Sequence, residues 1–543
     1  MLFSSLIVLP LIQHAVAITI PRGGVHPPHS RPNLDIEGRQ SDGIGWQGYR
    51  SVGYYPNWVI YNADPFAVTN LTSTDFTHII YAFANVDLES GQVFLGDDWA
   101  DTQYPYPTDD TNEEGNNLYG NLKQLFLLKQ QNRPQLLLLF GNLKIQLGIG
   151  GATYSSNFNG ITSQQWRETF TNSAVDLVTN LGFDGLCLDY GVPSNEQKIP
   201  LVDLFRRLRL GLNSAASQIG GGHFILSWAA SCGAYNWATQ DVPGMDTYLD
   251  YWNLMAYDFS GPWTDTALPA SNLFPDERSS DVGASGSQCL QHYIDEGVDS
   301  RKLNLGMPLY GTGFTGTQGM WTSWTGELAK ASEVAKIAAY LGLEMEGTEQ
   351  YDVSELPVDG DTVSYDAILG GSWSYNPSNG RVVSFDTPTL ALQKARYVIE
   401  HNIGGMMYWS IDGDYSRLRP AGASLPDSSN DWDKRGLSGR NKKGGEEGEG
   451  GGHGGHGGHG GNGNCTEEDD GHGHGGHPDC TGGNGGNGGN GNNNTVPINT
   501  AIGYSLVDTV VTAFKRYGGG LDTTTNRLEY PTSEYDNLRA GFP

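Results

Sequence analysis

Positive charge is scarce in this sequence. Lysine and arginine total 32 of 543 residues against 61 aspartates and glutamates, a formal net charge of -29. So acidic a surface repels nucleic acid and anionic membrane and favours solubility, yet suits a neutral ligand such as a sugar polymer. Long apolar runs are also lacking. Beyond the N-terminus none approaches the roughly 20 residues that span a bilayer, so a released chain is expected, not an anchored one. Cysteine is sparse. Cys187, Cys232, Cys289, Cys465 and Cys480 are odd in number, so at least one stays unpaired. Cys465 and Cys480 could close a small loop; the connectivity is otherwise open.

The exception to the lack of apolar runs is the start, MLFSSLIVLPLIQHAVA. It has no Lys or Arg, but it ends in the small-x-small pattern Ala15-Val16-Ala17 and reads as a secretory signal cut after Ala17. A secreted, extracellular chain is therefore expected. Asn70, Asn464 and Asn493 fit the N-glycan acceptor pattern.

Residues 18–47 are rich in Pro and Gly and read as a linker or propeptide. From 48 to 425 apolar runs alternate with amphipathic stretches. The strand candidates are RSVGYY (50–55), THIIYAFANV (core 78–86), LKIQLGIG (143–150), FDGLCLD (183–189), HFILSWAA (223–230), DYWNLMAYD (250–258), LNLGMPLYG (303–311) and IGGMMYWS (403–410). Eight such runs alternating with helices suggest an α/β fold, a parallel (β/α)8 TIM barrel. The interval between LGMPLYG and GGMMYWS is too long for a simple crossover and implies a small α+β insertion over about 312–385. Residues 426–495 turn to Gly, His and Asn. They cannot form an apolar core and read as a flexible linker, with six of the 13 histidines among them. The C-terminal segment, 496–543, carries the apolar stretch YSLVDTVVTAFKRY and no legible motif.

Chemistry on a parallel barrel sits where strand C-terminal ends meet the following loops. In LGFDGLCLDYGVP (181–193) the period of two puts Cys187, Asp189 and Gly191 on one face, with Leu186, Leu188 and Tyr190 on the other. Asp184 has the opposite parity and reads as structural. The strand ends in one carboxylate, with none two residues on.

This stretch resembles the fourth-strand signature D-x-x-D-x-D-x-E of glycoside hydrolase family 18, the chitinases. SVGYYPNW, THIIYAFANV, NNLYGNLKQLFLLK, YWNLMAYDFSGPW, LGMPLYG and GGMMYWS support the likeness, in the family's order and over about residues 48–425. Secreted fungal chitinases are the most similar. The resemblance implies a (β/α)8 barrel with an insertion between strand seven and its helix. It implies cleavage of β-1,4-linked N-acetylglucosamine polymers by a substrate-assisted route, without cofactor or metal. In that route a Glu protonates the leaving oxygen, the substrate's acetamido carbonyl attacks the anomeric carbon, and an Asp orients the acetamido group.

Carried over residue by residue, Asp184 matches the first Asp and Asp189 the orienting Asp. Cys187 replaces the middle Asp, and Gly191 stands where the acid Glu belongs. Tyr257 and Asp258 match the pair that holds the acetamido group and sugar, and Met255 shares Tyr257's strand face. Tyr54, Phe83 and Tyr310 match residues at the barrel mouth, Trp409 the floor under the central sugar, and Trp263 an aglycon-side platform. Aromatic faces suit pyranose rings, whose C–H faces bury well on them. Gly148, Ala152 and Thr312 replace a Ser, a stacking Trp and an Arg common in the family, which implies a wider, less adhesive cleft. PQLLLLFG (134–141) interrupts the family's pattern, as an exposed Leu-rich insertion or translated intron. The expected function is binding of chitin or N-acetylglucosamine oligosaccharides by a monomer whose hydrolysis is lost or severely impaired. The alternative is an active chitinase with a substitute acid such as Glu196.

Overall fold

Apolar runs this continuous can bury both faces only if helices cover one side and a packed interior fills the other. The computed structural model has that arrangement. It describes residues 47–62, 65–71, 74–131, 143–191, 193–276, 278, 284–325, 350–352, 356–358, 360–414, 500–501 and 504–542. The expected signal peptide, residues 18–46, the 134–141 insertion, the 426–495 linker, Cys465 and Cys480 lie outside these residues.

In chain order the strands are β1 (Arg50–Pro56), β2 (His78–Val86), the short β3 (Val93–Leu95), β4 (Lys144–Gly150), β5 (Gly185–Asp189), β6 (Ile225–Ser231), β7 (Tyr251–Met255) and β8 (Leu303–Pro308). An inserted antiparallel sheet follows, made of β9 (Tyr310–Phe314), β10 (Gln350–Asp352), β11 (Thr362–Asp366), β12 (Gly371–Asn376) and β13 (Arg381–Ser384). The chain then returns to the barrel as β14 (Gly405–Trp409). The barrel order is β1-β14-β8-β7-β6-β5-β4-β2, closed by parallel pairing of β2 with β1; β3 folds back on β2. The eight barrel strands are those expected from the sequence.

The longer helices are α1 (Gly120–Gln131), α2 (Gln164–Leu181), α3 (Lys198–Gln218), α4 (Gly286–Asp295), α5 (Pro388–Glu400) and α6 (Leu506–Tyr517). Their pattern explains their seats. In α3, Leu201, Leu204, Phe205, Leu208 and Leu212 are buried, the 3.6-residue spacing of one inward stripe. Ser163 caps α2 by accepting from Trp166 N, and Gly182 ends it in the left-handed region at φ 81°, where glycine carries no Cβ penalty. The described part of the insertion is all β. Its core gathers Phe314, Met320 and Val382 with Trp321, Trp324 and Trp373.

The C-terminal segment occupies the place of a barrel helix. α6 follows β14 in the described chain, packs against α5, and sets Phe514 on the Tyr49 ring with centroids 4.6 Å apart. Residues from Gln47 to the end form one compact unit. Leu521 bridges to Tyr49, and the chain then runs under the barrel to Phe542, whose ring meets Phe126 of α1.

The cysteines divide. Cys232, at the end of β6, is bonded to Cys289 of α4, and Cys187 is free and buried.

Candidate active site

Strand alternation builds the site. Leu186 and Leu188 point into the outer core between strands and helices, while Cys187 points into a separate inner cluster with Val52, Tyr54, Ile80, Ala82, Phe83 and Met407. Met255, Tyr257, Trp409 and Tyr154 pack against that inner cluster from the mouth side. Five barrel strands, β1, β2, β5, β7 and β14, and the turn after β4 thus converge on the C-terminal ends of the barrel strands.

Asp189 closes β5. It is 8% exposed and hydrogen-bonds through its side chain to no other described residue, and burial pushes its carboxyl up to about 7. It is therefore poised to titrate near neutrality. Cys187 is fully buried, and the same desolvation pushes its thiol up to about 12. It is a neutral thiol, not a nucleophile. Its neighbours are polar: Tyr54 Oη at 3.5 Å and Asn253 Nδ2 at 3.8 Å. Sulfur is a weak partner for both. A cage that would hold an acid's oxygens here surrounds a thiol instead.

The aromatic floor is continuous. Trp409 meets Tyr54 edge-on at 5.2 Å and stacks on Phe83 at 5.7 Å. Trp58 extends this row, 6.5 Å from Phe83 and well exposed. Tyr257 lies 6.1 Å from Tyr310 and hydrogen-bonds through its hydroxyl to Met407 Sδ at 3.8 Å. Asp258 follows in a left-handed conformation, φ 55°, and accepts 2.5 Å from Tyr310 Oη. Trp263 stands apart. Its ring folds over Gly261, is 40% exposed, and makes no ring contact with the Trp409 or Tyr257 groups.

Gly191 lies just beyond the strand. Its N–H donates to Ser155 Oγ at 3.0 Å, and Ser155 Oγ donates in turn to Gly151 O at 2.8 Å. A Cβ at 191 would meet only Ser155 Oγ, at 3.6 Å, and the backbone there is not left-handed. Neither conformation nor crowding requires glycine at this position. Gly148 differs. A Cβ there would come within 3.0 Å of Ile80 and 3.1 Å of Phe83, so this position is crowded. Ala152 is exposed in the turn after Gly151, and Thr312 pairs with Ser384 within the inserted sheet. Glu196 is exposed, in a 3-10 turn (Asn195–Gln197) fixed by reciprocal bonds between Ser194 and Gln197. Asp184 faces away from the mouth, accepting from Ile145 N at 2.7 Å and pairing with Lys129 at 2.8 Å.

The sequence profile of Glycosyl hydrolases family 18 matches residues 50–414, about two thirds of the chain. The chain belongs to glycosyl hydrolases family 18. Among relatives, it is 34% identical to Endochitinase 1 of Metarhizium robertsii over 371 residues, 68% of this chain and 82% of the relative. It is 35% identical to Chitinase 1 of Aphanocladium album over 366 residues, 67% and 81% of the two chains. Among solved structures, the catalytic domain of a psychrophilic chitinase B from Arthrobacter superposes with a TM-score of 0.59 at 25% identity, covering 68% of this chain and 93% of that one.

Sequence reasoning missed several residues around this family 18 site. Met407 was legible, since it alternates with Trp409 in GGMMYWS. Trp58 follows β1 directly in GYYPNW. The polar layer beneath the site gave no sequence signal: Gln146 donates to Ser227 Oγ at 2.9 Å, and Asn304 donates to Asn253 Oδ1 at 2.9 Å. It is assembled from single polar residues on separate strands.

Proposed function

We propose that this family 18 protein binds chitin or N-acetylglucosamine oligosaccharides across the Trp409 floor and no longer hydrolyses them efficiently. The observation that carries the reading is at position 191. The site retains Asp189, Tyr257, Asp258 and Tyr310, but the position matching the proton donor has no side chain. General acid catalysis contributes typically about 10²- to 10⁴-fold. An alkoxide leaving group without a donor forfeits that factor even where the acetamido group still attacks. Asp189 accepts from the acetamido N–H, a charge-assisted bond when the carboxyl is ionised. Its protonation near neutrality makes binding strengthen as pH rises through about 7.

Extracellular release fits the small-x-small end of the apolar N-terminus and the Cys232–Cys289 disulfide, which persists in oxidising compartments. We take the active unit to be the monomer, without metal or cofactor. The alternative, a working chitinase using Glu196, rests on that residue's place in the loop after β5; it is weakened by the turn that holds Glu196 in solvent.

The test uses purified protein on labelled N-acetylglucosamine oligomers, with wild type beside Gly191→Glu combined with Cys187→Asp. The expected outcome is micromolar binding by both and turnover at least about 100-fold higher in the double variant. Robust wild-type turnover would overturn the proposed loss. Failure of both proteins to bind would overturn the ligand assignment.

A further inference from the structure

The end of the barrel opposite the site buries charge, and the C-terminal segment answers it. Asp522 lies 3.4 Å from Lys144 Nζ and 3.9 Å from His78 Nε2, all three side chains nearly buried. Asp184 accepts from Arg527 N at 2.7 Å while it pairs with Lys129, whose Nζ also donates to Tyr530 Oη at 3.2 Å. Tyr530 Oη donates to Phe183 O at 2.7 Å, at the foot of β5. Further on, Asn537 exchanges two bonds with the Leu118 backbone, at 2.9 and 2.8 Å. At its other end the segment is capped across the chain: Asp414, just after β14, accepts from Leu506 N at 2.8 Å and Ser505 Oγ at 2.5 Å at the start of α6. The apolar side matches, with Val510, Val511 and Phe514 at most 1% exposed.

These contacts differ from those of a tail resting on a finished domain. With the segment in place, buried groups of the barrel such as Lys144 Nζ and Leu118 N find their partners on it, and an unpartnered buried charge is strongly destabilising.

We propose that residues 504–542 bind the barrel as a self-sufficient ligand, so that covalent continuity through residues 426–495 is not needed to hold them there. A chain cut in that stretch persists as a two-fragment protein. All five cysteines precede residue 481, so no disulfide can join the fragments when the cut falls later.

The test inserts a specific protease sequence within TGGNGGNGGN (481–490) of the full chain, cuts the folded protein, and compares native gel filtration with denaturing electrophoresis. The expected result is two bands that co-elute in one native peak at the uncut volume. Separation into two peaks would overturn the proposal. A urea titration adds a second measurement. The midpoint of the cut protein should rise with protein concentration while that of the uncut chain does not, as mass action requires of two bound pieces. A concentration-independent midpoint in the cut protein would also overturn it. Both measurements are independent of sugar binding.

Discussion

Replacing Asp189 by asparagine should stabilise the ligand-free protein at pH 8 while weakening its hold on N-acetylated sugars. Burial raises the Asp189 carboxyl to about 7 from its ordinary value of 3.8. The folded state therefore resists ionisation that the unfolded chain accepts. Native stability from this group is fully present below about pH 4 and is lost as pH rises to about 7. Three units at 1.36 kcal/mol each give on the order of 4 kcal/mol lost by pH 8 and only about 0.6 at pH 4. Asparagine is neutral throughout and does not incur this loss. With about 2.1 cal/mol/K of unfolding entropy per residue, 4 kcal/mol corresponds to roughly 4 °C in a chain of this size. Thermal unfolding of wild type and Asp189→Asn at pH 4 and pH 8 reads the difference directly. The variant should gain about 4 °C relative to wild type between the two pH values, and calorimetry with chitotetraose at pH 8 should show weaker binding. A gap that is the same at both pH values would refute the buried-charge reasoning; undiminished sugar binding would refute the assignment of Asp189 to the acetamido group.

The remaining predictions concern the site's floor and its thiol. Trp409→Ala removes the ring that meets both Tyr54 and Phe83, and should weaken tetrasaccharide binding at least about tenfold by titration calorimetry; an unchanged affinity would move the ligand elsewhere. Cys187, fully buried with its thiol raised to about 12, should resist a thiol reagent at pH 8 and react stoichiometrically in denaturant. Rapid labelling of the native protein would show that the barrel interior opens.

The sequence revealed the barrel strands well, and physics explains why. Strands buried on both faces leave unbroken apolar runs such as LKIQLGIG and FDGLCLD, and each is bounded by glycine or an acid. The eighth helix was not legible as part of the barrel. YSLVDTVVTAFKRY has the right amphipathic pattern, but a long glycine-rich stretch separates it from β14, and nothing local says what its apolar face covers. Its partners, and those of Asp522 just after it, are single residues far away, such as Tyr49, His78 and Lys144, and only the closed barrel brings them together. At the site, the residue type at each position could be read from the strand motifs. The surroundings could not: the crowding of Ile80 and Phe83 around Gly148 and the open space at Gly191 look identical as two glycines in a sequence.

The bridge between Tyr49 and Leu521 has a consequence for biosynthesis. The first barrel strand emerges from the ribosome early, but the segment that seats beside it is among the last residues made. At 5–20 residues per second, roughly half a minute to a minute and a half separates the two. Throughout that interval Lys144 at the foot of β4 lacks Asp522, and the apolar surface of α5 lacks α6. The nascent barrel must therefore wait for its final component. A stop codon or frameshift in the glycine-rich stretch would strand it in that state, although every residue matched by the family profile had already been translated.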